Sequence, residues 1–284
     1  MKKVAEQMVA EFLGAFALIF IGAGVVVMLG PAAGPQGTPF PQSLVFLAIA
    51  LVGIALAHGL VLGIMISNFG HISGGHYNPA VTISVWVAGK IETLRAGLYI
   101  VAQLAGAAAG AGLLSLAIPK RIWTLTHLGA TLIGPQAKQL GFTTGRGVLL
   151  EAVLTFFLVI TVFATAVDER GVFKSLGGMP IGLVLTFDIL VGGFFTGASM
   201  NPARSFGPAL ISGTWTDFWV YLVGPITGGI IAATIYWFAF LRERPEMTVD
   251  EEVEPGDGPV DAEAGEPEPP YEQPLIAPEE PPAT

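Results

Sequence analysis

Two stretches of the sequence decide the fold: GHISGGHYNPAVT at residues 70–82 and TGASMNPARSFGPA at residues 196–209. Each contains the tripeptide Asn-Pro-Ala at the start of a short, mainly apolar segment, Asn78 to Val87 in one case and Asn201 to Leu210 in the other. Asn is an effective helix cap and Pro is tolerated in the first turn, so each tripeptide predicts a helix that begins there. At about 1.5 Å per residue neither helix can cross a bilayer. The sequence therefore predicts two half-helices.

The sequence around these stretches is that of a membrane protein. Of its 284 residues 52% are hydrophobic and only 12% are charged, whereas soluble domains carry about 25% charged residues. Between Phe12 and Gly89 there is no charged residue at all. A membrane-spanning helix needs about 20 apolar residues. Apolar runs between charges and Gly/Pro turns predict six spans, near residues 8–29, 44–67, 94–117, 147–167, 176–196 and 217–241.

The two half-helices lie at matching positions, each between the second and third span of its half of the chain. The sequence AEFLGAF around Glu11 also resembles LEAVLTF around Glu151. Because each half has three spans, the second half inserts upside down relative to the first. The predicted fold is an all-α membrane protein with six transmembrane helices plus two half-helices. Its inverted repeats run over about 8–117 and 147–241, within a membrane domain at 1–244.

The end of the chain has a different composition. Residues 245–284 contain 13 acidic residues and ten Pro, but no Lys or Arg. Such a segment cannot bury enough apolar surface to fold, so it predicts a disordered, acidic, Pro-rich cytoplasmic tail. A partner-docking or regulatory segment is the alternative. The chain has no Cys and only four scattered His, which predicts no metal site and no cofactor.

The distribution of positive charges predicts the orientation. Six crossings put both termini on one side of the membrane. Lys2 and Lys3 precede the first span, and Arg242 and Arg244 follow the last, which marks that side as cytoplasmic. Basic residues in the loop after the third span, such as Lys120, run against this rule. We predict an integral, multi-pass protein of the cell membrane with both termini cytoplasmic.

Two helix N-termini that meet at the middle of the membrane predict a pore. Each places about half a positive charge there, which repels cations, including protons. The amides of Asn78 and Asn201 can donate hydrogen bonds to a passing water molecule and orient it. The backbone before each half-helix, Gly74–Tyr77 and Gly197–Met200, is expected to be extended, with carbonyls that face water. The predicted pore-lining carbonyls are those of Gly74, Gly75, His76, Gly197, Ser199 and Met200.

The two stretches resemble the signature loops of the aquaporin, or major intrinsic protein, family, and the similarity extends from about Ala10 to Leu241. This resemblance implies six tilted helices plus two half-helices, a pore in every subunit, and a homotetramer in the lipid bilayer. It assigns Glu11 and Glu151 to holding the loop backbones by accepting amide hydrogen bonds. It assigns the pore motifs to Asn78, Pro79, Ala80, Asn201, Pro202 and Ala203.

The resemblance also indicates a selectivity filter. Arg204 lies within the predicted membrane region, where an Arg is a functional candidate. By resemblance it forms the narrowest constriction with His58, Ile189 and Ala198. His58 and Ile189 depart from the aromatic and His of water-selective members and resemble the plant tonoplast type. The more apolar wall favours passage of ammonia or another small neutral solute beside water.

Other functions stay open as alternatives. Ser205 stands where glycerol-passing relatives carry Asp, which disfavours a glycerol facilitator. An energised secondary transporter can also have inverted repeats, but Asp188 is the only acid deep in a predicted span. A non-conducting junction protein would need an occluding side chain, whereas Ala198 is small. The sequence has no nucleophile and base constellation, so we predict no enzyme. The predicted partners are water, small neutral solutes and lipid, without nucleic acid.

Overall fold

The computed structural model describes residues 2–29, 44–170 and 176–242, and every regular element within them is helical. The predicted tail, residues 245–284, lies outside the described residues. Six helices are long and apolar enough to cross a membrane, and the others are short. In chain order the α-helices are α1 (Lys2–Leu29), α2 (Leu44–Ser73), α3 (Pro79–Val87), α4 (Thr93–Ala117), α5 (Lys120–Trp123), α6 (Pro135–Gln139), α7 (Thr144–Val167), α8 (Met179–Thr196), α9 (Pro202–Ser212) and α10 (Val220–Leu241). A short 3-10 helix, Thr124–Gly129, follows α5.

The six predicted spans and two half-helices are confirmed, with shifted ends. The two largest differences are equal: α1 begins at Lys2 instead of residue 8, and α2, which was predicted to end at residue 67, continues to Ser73. Its last turns contain Asn, Gly, His and Ser, which predict an interface rather than a helix interior. Tertiary hydrogen bonds hold them in helical form, since the Tyr77 hydroxyl donates to the Met65 carbonyl at 2.9 Å and the Ser73 hydroxyl donates to Glu11 at 2.6 Å.

The helices pack as two related halves. In the first half α1 packs against α4, and in the second α7 packs against α10. Helices α2 and α8 join the halves. Each half-helix packs against the last span of the other half, α9 against α4 and α3 against α10. This exchange places both half-helices inside the bundle and confirms the predicted inverted repeat.

Two glycines allow the spans to cross closely. A Cβ atom added at Gly106 of α4 would overlap the carbonyl oxygen of Phe12, and one added at Gly228 of α10 would overlap that of Ala152. Phe12 and Ala152 are equivalent in the repeat, because each directly follows one of the two predicted supporting glutamates. The same backbone contact therefore fixes α1 against α4 and α7 against α10.

Apolar side chains cover the outside of the bundle. Leu116 is 84% exposed and Leu94 is 76% exposed, although both are large and hydrophobic. A soluble protein would bury such residues, while lipid chains solvate them. The main buried apolar cluster joins α2, α7 and α8 to the first half-helix.

The loop after α7 is tied to the end of α10. The Arg170 guanidinium donates to the Asp168 carboxylate at 2.7 Å and to the Phe240 carbonyl at 2.6 Å. The Tyr236 hydroxyl donates to the same carboxylate at 3.1 Å. The hydrogen bonds from Arg170 hold the pKa of the Asp168 carboxyl well below its usual range. The pair therefore stays charged at neutral pH and fixes the two helix ends together.

Candidate functional site

Asn78 and Asn201 each cap a half-helix. The Asn78 Oδ1 accepts a hydrogen bond from the Ala80 N–H at 2.8 Å, and the Asn201 Oδ1 accepts one from the Ala203 N–H at 2.9 Å. Both Asn residues have extended backbone, and the Pro that follows each occupies the first helical position. The two helix starts predicted from Asn-Pro-Ala are therefore those in the structure.

The same two asparagines join the halves of the protein. The Asn78 Nδ2 donates to the Met200 carbonyl at 2.8 Å, and the Asn201 Nδ2 donates to the Tyr77 carbonyl at 2.9 Å. Each acceptor directly precedes the Asn of the other half. An amide Nδ2 carries two hydrogens, so one N–H of each Asn remains for another acceptor. This reciprocal pair fixes both amides where the half-helices meet.

The loops before the half-helices turn at equivalent positions. Three residues in each loop have a left-handed φ: Gly74, Gly75 and Tyr77 in the first loop, and Gly197, Ala198 and Met200 in the second. The extended backbone predicted for both loops is therefore wrong. Extended residues point successive N–H groups in opposite directions, whereas left-handed turns let neighbouring N–H groups converge on one anion. Each loop has such an anion beneath it.

Glu11 is the anion beneath the first loop. Its side chain is fully buried. It accepts hydrogen bonds from the N–H groups of His76 at 3.0 Å and Tyr77 at 2.6 Å. The Ser73 hydroxyl and the Gln103 amide donate to it as well, at 2.6 and 2.8 Å. The carboxylate thus fixes the loop backbone from α1.

Glu151 does the same for the second loop. It is also fully buried. It accepts from the N–H groups of Ser199 at 2.9 Å and Met200 at 2.8 Å, and from the Thr196 hydroxyl at 2.7 Å. These three donors correspond to Ser73, His76 and Tyr77 at Glu11, and only the Gln103 amide has no counterpart among the hydrogen bonds of Glu151. Two separate carboxylates therefore impose one loop geometry on both halves.

A narrow cavity passes both half-helix N-termini. The cavity has a volume of about 20 Å³. One water needs about 10–15 Å³, so the cavity holds about one or two waters. The polar part of its wall comes from the two asparagines, the loops, His58 and Arg204. The remainder is apolar and contains Leu18, Leu62, Ile66, Val81, Leu158, Val162, Ile181 and Leu185. A molecule in the cavity has room to move in single file and finds few hydrogen-bonding partners.

Three of the six residues predicted to line the pore with their carbonyls lie at this cavity: Gly75, His76 and Ser199. The Met200 carbonyl instead accepts the bond from Asn78. The N–H groups of Gly74 and Gly197 close the last turns of α2 and α8, by bonds to the carbonyls four residues earlier. These two glycines end the long helices rather than form the cavity wall.

Arg204 is held at the cavity by two groups. Its Nη1 donates to the Gly129 carbonyl at 2.8 Å, and its Nη2 faces the His58 Nε2 at 3.3 Å. The other ring nitrogen, Nδ1, lies 2.8 Å from the Ile54 carbonyl. A carbonyl can only accept, so Nδ1 carries the proton and Nε2 presents its lone pair to Arg204. A guanidinium is thus fixed on the cavity wall, where its charge repels cations.

The other two filter residues are placed differently. Ala198 lies at the cavity with His58 and Arg204. Ile189 is 2% exposed and belongs to the apolar cluster beside the cavity rather than to its lining. It follows Leu185, which does line the cavity, by about one helical turn. The structure brings three of the four predicted residues together and puts Ile189 in the adjoining packing.

Asp188 lies next to Ile189 in α8 but outside the cavity. It is 1% exposed, and neither carboxyl oxygen has a hydrogen-bond partner among the described residues. The described part of the chain also contains no cluster of three or more His, Cys or acidic residues that could hold a metal ion. Asp188 therefore forms no ion site with other described acidic groups.

Several supporting residues were missed by the sequence analysis. The hydroxyls of Ser73 and Thr196 accept from the N–H groups of Gly75 and Ala198, both at 3.1 Å. The hydroxyls of Tyr99 and Tyr221 donate to the carbonyls of the same Ser and Thr, at 2.9 and 2.8 Å. Ser73 and Thr196 each stand five residues before the Asn of their loop. Alignment of the two halves is the signal that could have found them.

These features define a class: an integral, multi-pass membrane channel with its pore between two opposed half-helices. The sequence profile of the family described as Major intrinsic protein matches residues 1–236. The chain belongs to the major intrinsic protein family, a family of channels.

Several aquaporins resemble the chain over most of its length. Aquaporin TIP4-4 of Zea mays is 42% identical over 239 residues, which cover 84% of this chain and 88% of the relative. Probable aquaporin TIP3-2 of Arabidopsis thaliana is 40% identical, with 87% and 90% covered. The structure of the aquaglyceroporin from Plasmodium falciparum has a TM-score of 0.66 and 24% identity, with 82% of this chain and 95% of that chain covered. This last similarity concerns the fold alone.

Proposed function

We propose that the protein is a passive water channel, in which water passes in single file between the two half-helices. The observation that carries this proposal is the narrow, mostly apolar cavity with the amides of Asn78 and Asn201 and the guanidinium of Arg204 on its wall. Relatives at 37–42% identity are named aquaporins, which supports the same function. The absence of strong binding along the apolar wall favours fast release, as conduction requires.

The same groups account for exclusion of ions and protons. Each half-helix N-terminus presents about half a positive charge to the middle of the cavity. The free N–H of each Asn donates to the oxygen of a passing water, so that water turns both its hydrogens away from the asparagines. A proton can then not hop through that point from either side. Arg204 adds a full positive charge at the filter.

A steric block at the filter tests the water path. Ala198→Trp should lower the osmotic water permeability of proteoliposomes by at least about tenfold, because an indole exceeds a cavity that holds about one or two waters. Light scattering after an osmotic step measures this permeability. Leu116→Trp is the matched control, since it adds the same indole at an outward-facing residue that is 84% exposed. Fast shrinkage of correctly inserted Ala198→Trp protein would place the water path elsewhere.

We propose ammonia as a second solute, which rests on the apolar side chain at Ile189. Ile189 packs directly behind the cavity wall, about one helical turn from the lining residue Leu185. A His there would bring a hydrogen-bonding group close to the cavity and raise the cost of exchanging water for ammonia. Ile189→His should therefore lower ammonia permeability relative to water permeability by about fivefold, equal to about 1 kcal/mol. Alkalinisation of the vesicle lumen after an ammonia pulse measures the flux, with Ile189→Val as control. An unchanged ratio of ammonia to water permeability would show that Ile189 does not determine the selectivity.

Glycerol and energised transport are less well supported. The Ser205 hydroxyl is engaged with Thr131 and Ser199 at 2.7 and 2.6 Å, so it is not free to bind a polyol. Ion coupling needs a second polar partner for Asp188, and none is found among the described residues. Solute uptake should accordingly not respond to an imposed proton gradient. We also propose that the protein has no enzymatic activity, which agrees with its membership of a family of channels.

The remaining proposals concern assembly and orientation. We propose a channel domain over residues 1–244, a homotetramer with one pore in each subunit, and insertion in the cell membrane. Lys2, Lys3 and Arg242 support cytoplasmic termini. The ion pair of Arg170 lies at the same end of the bundle, which agrees with this orientation. Labelling of a single engineered Cys near residue 2 in intact cells distinguishes the two orientations.

A further inference from the structure

A groove outside the pore lies where the first half-helix ends against α10. It has a volume of about 440 Å³ and is lined by Val87, Ala88, Gly89, Lys90, Ala233, Thr234, Trp237 and Phe238. Trp237 and Phe238 stand near the end of the last span, where aromatic side chains commonly mark the boundary between lipid chains and headgroups. The groove is therefore apolar on one side and lies at the depth of the headgroups.

The position of Lys90 in this groove is fixed by the backbone. Gly89 follows the half-helix with a φ of 70°. Its N–H donates to the Trp86 carbonyl at 2.9 Å, and the Lys90 N–H donates to the Val85 carbonyl at 3.0 Å. This pair of bonds around a left-handed Gly is a Schellman turn, a common helix end. The turn directs the chain, and with it Lys90, toward α10.

Two cations flank the aromatic pair. The Lys90 Nζ lies 5.2 Å from the centre of a Trp237 ring, and the Arg242 guanidinium carbon lies 5.7 Å from the centre of the Phe238 ring. Among the described residues neither cation forms a salt bridge with an acidic side chain. Glu92, the nearest acid in sequence to Lys90, pairs with Arg95 at 3.8 Å. Lys90 thus lines the groove, Arg242 lies next to it over the ring of the lining residue Phe238, and neither has a counter-charge among the described acidic side chains.

We propose that this groove binds an anionic phospholipid. Lys90 and Arg242 hold the phosphate of the headgroup, and an acyl chain packs against the exposed side chains of Val87 and Phe238. Charge selects an anionic headgroup, because basic residues at the membrane surface attract anionic lipids. The apolar wall selects a lipid over a free anion, since inorganic phosphate cannot cover it. The site would also hold the half-helix end against the last span.

Quenching of tryptophan fluorescence tests this proposal on the full chain. The protein is reconstituted in vesicles of unlabelled phosphatidylcholine. Increasing fractions of a lipid with brominated chains are then added, either brominated phosphatidylglycerol or brominated phosphatidylcholine. One component of the tryptophan fluorescence should be quenched by both lipids, but by brominated phosphatidylglycerol at a mole fraction at least about tenfold lower. This difference is expected for two basic contacts with the headgroup. Trp237→Phe should lack this component, which assigns it to the groove.

Paired charge variants complete the experiment. Lys90→Gln with Arg242→Gln should remove the preference for phosphatidylglycerol. Lys120→Gln with Arg121→Gln removes the same charge from helix α5, which has no buried residues. This control should retain the preference for phosphatidylglycerol. Excess inorganic phosphate should not displace the lipid. Equal quenching by both lipids, a preference that survives the loss of Lys90 and Arg242, or displacement by phosphate would each overturn the proposal. Water permeability is expected to stay within twofold in both double variants, because none of these residues lines the pore cavity.

Discussion

Glu151→Gln is expected to lower the water permeability of the reconstituted protein by at least about tenfold and to destabilise it by about 3 kcal/mol, the value of one or two hydrogen bonds to a charged group. The carboxylate accepts from two consecutive backbone N–H groups, one on each oxygen. Gln has one oxygen and one NH₂ group, so its NH₂ must face an N–H donor. The second loop then loses one of the two bonds that shape it, and the filter residues on that loop move.

Glu6→Gln is the matched control for this change. Glu6 lies on α1, near the start of the first span, but its side chain is exposed. The same removal of a carboxylate there should leave permeability and thermal unfolding unchanged. Stopped-flow light scattering and unfolding in detergent measure the two effects. Wild-type permeability in Glu151→Gln would mean that the loop keeps its shape without the carboxylate.

Gly228→Ala is expected to cause the largest loss of stability, about 3 kcal/mol or more, because overpacking at a rigid contact costs about 1–3 kcal/mol even where side chains can adjust. Here the added methyl group meets the carbonyl oxygen, carbonyl carbon and Cα of Ala152, which are all backbone atoms. Helices α7 and α10 can accept it only by moving apart. Gly106→Ala should have the same effect in the first repeat, where the methyl group meets the backbone of Phe12.

Gly112→Ala is the control within the membrane-spanning helices. A Cβ atom at Gly112 has no other atom within 4 Å, and Ala is favoured over Gly in a helix by about 0.5–1 kcal/mol. This variant should therefore unfold at the same temperature as the parent or higher. Denaturant or thermal unfolding in detergent, followed by circular dichroism, compares the three variants. Equal stability of Gly228→Ala and Gly112→Ala would show that α7 and α10 separate without cost.

The fold could be predicted from the sequence because its signals are local. Long uncharged runs determine the spans, and Asn78-Pro79 carries its own capping chemistry. The end of α2 was missed for the opposite reason. Residues 68–73 have weak helix propensity, and hydrogen bonds from Ser73 and Tyr77, which depend on the assembled bundle, keep them helical. Tertiary contacts often override propensity in this way.

The sequence indicated which residues form the site, but it did not predict their backbone and side-chain geometry. The left-handed turns at Tyr77, Ala198 and Met200 have no sequence signal, because residues other than Gly seldom adopt such φ values. They depend on buried carboxylates that are distant in the chain. Gly129 holds Arg204 from the connection between the repeats, where no counterpart exists for comparison. The resemblance located Ile189 by counting positions, and a count does not give the direction of a side chain.

The reciprocal bonds between the two asparagines and the two carbonyls have a consequence for the origin of the chain. Each half offers a donor and an acceptor, and each receives the same pair from the other half. This is the contact pattern of an isologous dimer, in which one surface is complementary to itself. A single three-span polypeptide carrying one Asn-Pro-Ala could satisfy both sides by pairing with an inverted copy of itself. The present chain thus has the architecture of a fused dimer, in which the filter Arg204 needs to be present in only one half.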